Sequence, residues 1–100
     1  MILHVVTFTF RDDVSSEQVD AADAALAELP GRIPALRSYS HGRDLGLRSG
    51  NAGYAVVAQV DDAEGLAAYL DHPEHVRAVR THLQPLLGTR QAVQIDPELP

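Results

Sequence analysis

The sequence predicts a single α+β domain with the element order β-α-β-β-α-β, and three observations lead to it. The chain has 100 residues, which is enough for one domain with one modest core. Four short segments are rich in β-branched and aromatic residues, as strands are. Two longer segments carry apolar residues at helical spacing. This order is the ferredoxin-like arrangement, in which helices cover one face of a four-stranded antiparallel sheet.

Composition and charge exclude several classes of protein. The chain has no cysteine, so it can form neither a disulfide framework nor a thiolate metal site. The formal net charge is -6, and the basic residues are scattered arginines without the clustered footprint that nucleic acid requires. No apolar run approaches the roughly 20 residues that span a bilayer. The amino terminus also lacks a basic leader. We therefore expect a cytoplasmic protein with neither nucleic acid nor a membrane as a partner.

The first half of the chain predicts a strand and a helix. Residues 2–10 are β-branched and aromatic, and both faces of this strand are largely apolar, so it needs cover on both sides. A helix is expected to begin at Ser15, because Gln18 stands at the position that completes a capping box. Apolar residues follow at helical spacing until Pro30-Gly31 ends the helix.

The second half predicts three further strands and a helical region that is broken by a proline. The residue before Pro73 is disfavoured in the α conformation, whereas Pro73 itself suits the first position of a new helix. Weak alternation in the second strand favours an edge position. The predicted segments are a strand at 36–45, a loop at 46–53, a strand at 54–60, a helix after Asp61-Asp62, a helix at 73–84, a strand at 89–96 and a peripheral tail at 97–100.

A ferredoxin-like unit of this size leaves one face of its sheet uncovered. Contiguous exposed apolar surface of this kind marks an interface. The pattern therefore predicts a homodimer that packs sheet against sheet. The residues expected on the uncovered face are Leu3, Val5, Ala55, Val57 and Val93.

The sequence resembles a known family in four places. They are the opening strand at 4–10, the segment Ile33-Pro34-Ala35-Leu36, the pair Gly53-Tyr54, and the Y-x-x-H-P-x-H element at 69–75. Together they resemble the stress-responsive dimeric α/β-barrel (Dabb) domain along nearly the whole chain. The resemblance implies one Dabb domain at residues 1–100, with a barrel formed by the two sheets of a dimer.

The resembled family is functionally mixed. Some members are stress proteins without established chemistry, and a plant member is a polyketide cyclase that performs an aldol condensation without metal or organic cofactor. Related barrels include cofactor-free monooxygenases. The fold alone does not decide between these functions.

The resemblance implies three catalytic candidates, which are His4, Tyr69 and His75. We expect His75 in the first turn of a helix, where the helix dipole disfavours imidazolium and so favours the neutral form that a general base needs. The phenol of Tyr69 can donate a hydrogen bond to a developing enolate. Structural roles for all three also remain open, namely a core histidine, a half-buried tyrosine and a ring that caps the broken helix.

Two positions depart from the cyclase-like pattern. Where that member carries a second histidine on the third strand and a tyrosine on the first helix, this chain has Val56 and Leu26. The predicted pocket is therefore more apolar, with Val6 and Phe8 as further substrate-binding residues. We expect it to accept a small apolar molecule that bears a carbonyl group.

No metal or other cofactor is expected. His72, His75 and His82 could in principle ligate a metal, but H-x-x-H across a proline is not the spacing of a helical zinc pair. Three functions remain open. The first is a protein that binds a small carbonyl compound, with or without acting on it as a cofactor-free cyclase or lyase. The others are a non-enzymatic stress-responsive homodimer and a cofactor-free monooxygenase.

Overall fold

A computed structural model describes residues 1–99 and contains one four-stranded antiparallel sheet with helices on one face. The α+β, ferredoxin-like fold predicted from the sequence is confirmed. Pro100, the last residue of the predicted tail, lies outside the described residues. The elements are β1 (Ile2–Phe10), α1 (Ser16–Ala27), β2 (Ser38–Arg43), β3 (Tyr54–Val60), α2 (Ala63–Leu70), α3 (Pro73–Ala78) and β4 (Leu87–Ile95).

The strand order in the sheet is β2-β3-β1-β4, so β2 is an edge strand as predicted. The register places Tyr39, Ala58, His4 and Gln94 in one row across the four strands. Because neighbours in a row point to the same face of the sheet, the side chains of this row all face the helices. This row supplies the polar groups at one end of the cavity described below.

Two side chains cap the N-termini of the main helices. Ser15 accepts a hydrogen bond from the amide of Gln18, and the Gln18 side chain accepts one from the amide of Ser15, which completes the predicted capping box. Asp62 caps α2 by accepting a hydrogen bond from the amide of Gly65. Such caps satisfy amide groups that have no partner inside the helix.

The helix predicted at 73–84 is wrong in its second half. The α-helical part ends at Ala78, a π-helical turn follows at Val79–Leu83, and a 3₁₀ turn at Gln84–Leu86 leads into β4. Pro85 lacks the amide proton that an α-helix would direct at the carbonyl of Thr81, and its ring would clash with that carbonyl. The α-helix therefore cannot continue to this point.

Two strand boundaries also differ from the predicted ones. The strand predicted at 36–45 is confined to Ser38–Arg43, because Leu36 instead donates to the carbonyl of Ile33 in a turn. The strand predicted at 89–96 begins two residues earlier and ends at Ile95. Its start depends on Gly88, where a Cβ atom would lie 2.9 Å from the carbonyl oxygen of Thr9.

The core lies between the sheet and the helices, and the opposite face of the sheet has no cover within residues 1–99. On that face Val5, Val57 and Val93 form one apolar row, and the exposed fraction of Val93 is 53%. Leu3 and Ala55 flank this row, as the sequence predicts. No helix in the described part of the chain is both long enough and apolar enough to cross a membrane.

Candidate active site between the sheet and the helices

A cavity of about 90 Å³, partly open to solvent, lies between the helix-facing side of the sheet and the helices. The structure brings all of the predicted catalytic and substrate-binding residues together in its wall. Most of the wall is apolar, as expected when valine and leucine replace polar groups. The predicted residues that line it are His4, Val6, Phe8, Leu26, Val56, Tyr69 and His75.

His4 is a buried residue of β1, and a neighbour on β4 determines which of its two ring nitrogens carries the proton. The side-chain amide nitrogen of Gln94 lies 2.8 Å from Nδ1 of His4, directly across the register. An amide nitrogen can only donate, so Nδ1 of His4 carries the lone pair and the proton of the neutral ring lies on Nε2. No buried side-chain nitrogen of residues 1–99 lacks a partner, so this Nε2, which has no hydrogen bond, is not fully buried. His4 therefore offers a hydrogen-bond donor.

His75 has the opposite tautomer. Its Nδ1 lies 3.0 Å from the carbonyl oxygen of Leu70, and a carbonyl can only accept. The proton of the neutral ring is therefore on Nδ1, and the lone pair is on Nε2. By the same reasoning as for His4, this Nε2 is not fully buried. His75 thus offers a base where His4 offers a hydrogen-bond donor.

The break between α2 and α3 makes this arrangement possible. In a continuous helix the carbonyl of Leu70 would accept from the amide of Glu74. Here that amide instead donates to Nδ1 of His72, at 3.1 Å, because His72 is the N-cap residue of α3 and Pro73 its first residue. His72 therefore caps α3, and the Leu70 carbonyl is left for His75.

Tyr69 lies between the two histidines. Its ring centroid is 4.5 Å from that of His75 and 6.1 Å from that of His4. Its hydroxyl lies 3.3 Å from the hydroxyl of Tyr39 on β2. Tyr39 also lines the cavity, and the sequence analysis did not place it there, because only the register shows that it shares a row with His4.

Burial keeps these groups neutral near pH 7. It lowers the pKa of His4, and the nearby charges of Arg90 and His75 lower it further. Burial also lowers the pKa of His75, which outweighs the opposite effect of the Leu70 carbonyl. The pKa of Tyr69 is raised, again mainly by burial. The cavity therefore presents a neutral base, a neutral imidazole donor and a protonated phenol.

Arg90 is the second residue of the cavity that the sequence analysis missed. It lies on β4 opposite Phe8, on the side of the strand that faces the helices. Among the described residues that line the cavity, it is the only one with a permanent charge. The signal that could have found it is the register of β4 against β1, since Phe8 was already a predicted pocket residue.

A second polar cluster lies outside this cavity. It consists of Asp23 on α1, His41 on β2 and Tyr54 on β3, and we refer to it as the Asp23 cluster. The Tyr54 hydroxyl donates to Oδ1 of Asp23, and Nδ1 of His41 lies 2.9 Å from the same oxygen. The hydrogen bond from Tyr54 is the main cause that lowers the pKa of Asp23. These groups satisfy one another.

The remaining histidines do not form a metal centre with His75. Within residues 1–99 no group of three or more histidine, aspartate and glutamate side chains is arranged to hold a metal ion. His82 lies in the π-helical turn and lines a different, more polar depression with Glu74.

Sequence comparison identifies the family. The sequence model of the Stress responsive A/B Barrel Domain, Dabb, matches residues 2–97. This chain belongs to the Dabb family. An uncharacterised protein of Streptomyces coelicolor is 35% identical over 81 residues, which cover 79% of this chain and 84% of that protein.

Two plant proteins are more distant Dabb relatives. The stress-response A/B barrel domain-containing protein HS1 of Arabidopsis thaliana is 27% identical over 75% of this chain and 71% of its own length. Olivetolic acid cyclase of Cannabis sativa is 25% identical over 75% of this chain and 76% of its own length. The relatives of this chain thus include a cyclase and a stress-response protein.

Solved structures share the Dabb fold. A dimeric ferredoxin-like protein of unknown function from Thermobifida fusca has a TM-score of 0.88 and 44% identity, covering 94% of this chain and 88% of that one. Hydroxynitrile lyase of Passiflora edulis has a TM-score of 0.83 at 17% identity, covering 99% and 96%. An antibiotic biosynthesis monooxygenase has a TM-score of 0.75 at 10% identity, covering 96% and 97%. The last two are similar in fold alone.

Proposed function

We propose that this Dabb protein binds a small apolar carbonyl compound and catalyses proton transfer at the carbon beside the carbonyl. The observation that carries the proposal is that Nδ1 of His4 faces an amide nitrogen and Nδ1 of His75 faces a carbonyl oxygen in one largely apolar cavity, which assigns opposite tautomers to the two rings. A relative with a cyclase name supports this class of chemistry, since an aldol cyclisation is an acid–base reaction of a carbonyl compound.

Each polar group has one role in the proposed reaction. Nε2 of His75 removes a proton from the carbon next to the carbonyl, the electron pair of that C–H bond forms the carbon–carbon double bond of the enolate, and the π pair of the carbonyl moves onto its oxygen. The Nε2 proton of His4 and the hydroxyl of Tyr69 donate hydrogen bonds to the resulting enolate oxygen. The proton held by His75 returns to carbon, or to the new alkoxide when the enolate has attacked a second carbonyl.

Exchange of α-protons tests this proposal without knowledge of the natural substrate. Acetophenone is incubated with the protein in deuterated buffer, and the loss of its methyl signal is followed by NMR. We expect faster exchange than with an equal concentration of imidazole, and His75→Ala should reduce the excess rate at least about a hundredfold. His82→Ala is the matched control, because His82 does not line this cavity.

Two results would overturn the proposed reaction. Exchange no faster than with imidazole, or an unchanged rate in a folded His75→Ala protein, would favour the non-enzymatic stress-responsive homodimer. Consumption of oxygen by the protein with a carbonyl compound would instead favour the monooxygenase alternative, for which the only support is similarity of fold.

We also propose that the chain forms a homodimer through the uncovered face of its sheet. The apolar row of Val5, Val57 and Val93 supports this, as does the description of the Thermobifida fusca structure as dimeric. Light scattering at micromolar concentration should give twice the mass of the chain, and Val57→Lys should give a monomer. Ala24→Lys, on the exposed side of α1, should remain dimeric. A monomeric wild-type protein would contradict the proposal.

A cytoplasmic location, and the absence of nucleic acid from its partners, remain predictions from the sequence.

A further inference from the structure

We propose that Arg90 binds a carboxylate of the ligand, so that the substrate class is a carbonyl compound that also carries a carboxylate. This inference rests on the proposed function for its carbonyl component and adds a second recognition group. Its basis is the position of one permanent cation in the wall of a largely apolar cavity whose other polar groups are neutral near pH 7.

The position of Arg90 relative to the candidate catalytic groups is the first observation. The side chain lines the same cavity as His4, Tyr69 and His75. Its positive charge lowers the pKa of all three groups, which agrees with their shared position in the cavity wall. A ligand group held by Arg90 would therefore lie beside the reacting carbonyl.

The absence of a partner for Arg90 within residues 1–99 is the second observation. Many arginines of this acidic chain are paired with carboxylates, and Arg90 is not among them. A guanidinium offers a planar fork of donors that fits a carboxylate with two parallel hydrogen bonds. The arginines that form ion pairs are Arg11, Arg32, Arg37, Arg43 and Arg77.

The charge of the site favours a carboxylate over a phosphate. Arg90 is the one permanent cation among the described lining residues, and both cavity histidines have lowered pKa values that keep them neutral. A phosphate group would bring up to about two negative charges against this single cation. The protein as a whole carries a formal charge of -6, so attraction of an anion must be local.

Binding of two matched probes tests the inference. The probes are 3-benzoylpropanoate and its neutral amide 3-benzoylpropanamide, which share the phenyl ketone and differ at the end group. The full chain should bind the carboxylate roughly tenfold more tightly than the amide in calorimetric titrations, as expected for a charge-assisted hydrogen bond. Arg90→Gln should abolish this ratio and leave amide binding unchanged, whereas Arg90→Lys should retain part of it.

Arg80→Gln is the matched control, since it removes the same charge from a residue that does not line the cavity. It should keep the tenfold ratio. The inference is overturned if wild type shows no preference, if neither probe binds at millimolar concentration, if Arg90→Gln keeps the preference, or if Arg80→Gln loses it equally.

Exchange of the α-protons of the amide probe separates the two proposals. Exchange that depends on His75 without any carboxylate preference would overturn the role of Arg90 alone. A carboxylate preference that depends on Arg90, without exchange of either probe, would overturn the proposed reaction and leave the binding inference standing.

Discussion

The cavity and the Asp23 cluster contain similar side chains, but they differ in how many of their hydrogen-bonding atoms have a partner. Both combine histidine with tyrosine on the helix-facing side of the sheet. In the Asp23 cluster, the carboxylate of Asp23 accepts from both Tyr54 and His41. In the cavity, His4 and His75 each bond through Nδ1 alone and leave Nε2 free. The same residue types thus stabilise the fold in one place and present reactive atoms in the other.

Tyr39 lies between the two regions. Its ring centroid is 5.5 Å from that of His41 in the Asp23 cluster and 6.0 Å from that of Tyr69 in the cavity. Its hydroxyl, however, bonds toward the cavity at Tyr69. The ring of Tyr39 therefore packs against both polar regions. Substitution of one hydroxyl at a time can separate the effect of each region on activity from its effect on stability.

The largest expected effect is the loss of activity in Tyr69→Phe. If the Tyr69 hydroxyl stabilises an enolate oxygen, its removal should slow the exchange of acetophenone protons about a hundredfold, or about 2.7 kcal/mol. The free energy of unfolding should fall by only about 1 kcal/mol, because one hydrogen bond between hydroxyls is lost. Exchange kinetics and urea unfolding measure the two quantities. An unchanged exchange rate would remove Tyr69 from the reaction.

The matched substitution in the Asp23 cluster should have the reverse effect. Tyr54→Phe removes the donor to Asp23, and we expect the free energy of unfolding to fall by about 1.5 kcal/mol. Acetophenone exchange should remain within a factor of two of wild type, since Tyr54 does not line the cavity. A large loss of exchange in a stable Tyr54→Phe protein would show that the clusters are coupled.

The third expected effect is a dependence of stability on pH. His4 and His75 have pKa values below their ordinary 6.5, so below pH 6.5 the unfolded chain binds protons that the folded chain does not. Stability is then fully present above pH 6.5 and falls as the pH drops toward the lowered pKa values, by at most about 1.4 kcal/mol per pH unit for each histidine.

Urea unfolding between pH 7.5 and pH 5 would measure this slope. The double variant His4→Gln/His75→Gln should have a flatter profile than wild type, and His82→Gln should keep the wild-type slope. Asp23, whose pKa is lowered below the ordinary 3.8, contributes only at still lower pH. A double variant with an unchanged slope would contradict the effect of burial on the cavity histidines.

The element order follows from local patterns in the sequence, whereas the candidate cavity residues were implied by the resemblance to the Dabb domain, and both sets of residues lie where they were expected. Alternation along β1 places His4, Val6 and Phe8 on one face, and the proline break sets the positions of Tyr69 and His75. These signals come from residues close together in the chain.

What could not be predicted depends on contacts between distant segments. Tyr39 and Arg90 join the cavity only through the register of the two edge strands with their neighbours. The opposite tautomers of the histidines depend on Gln94, which is 90 residues from His4, and on the backbone carbonyl of Leu70, which has no sequence motif. The π-helical turn before Pro85 likewise has no periodic signature in the sequence.

The break at Pro73 has a consequence for how the proposed activity could be lost through mutation. Replacement of Pro73 by a helix-forming residue would allow α2 and α3 to join, and the Glu74 amide would then compete with His75 for the Leu70 carbonyl. The imidazole proton could then move to Nε2, and the base would disappear while every residue of the cavity wall stayed in place. The identity of a residue outside the wall therefore sets the position of a proton inside it, and a survey of relatives limited to cavity residues would class such an inactive protein as active.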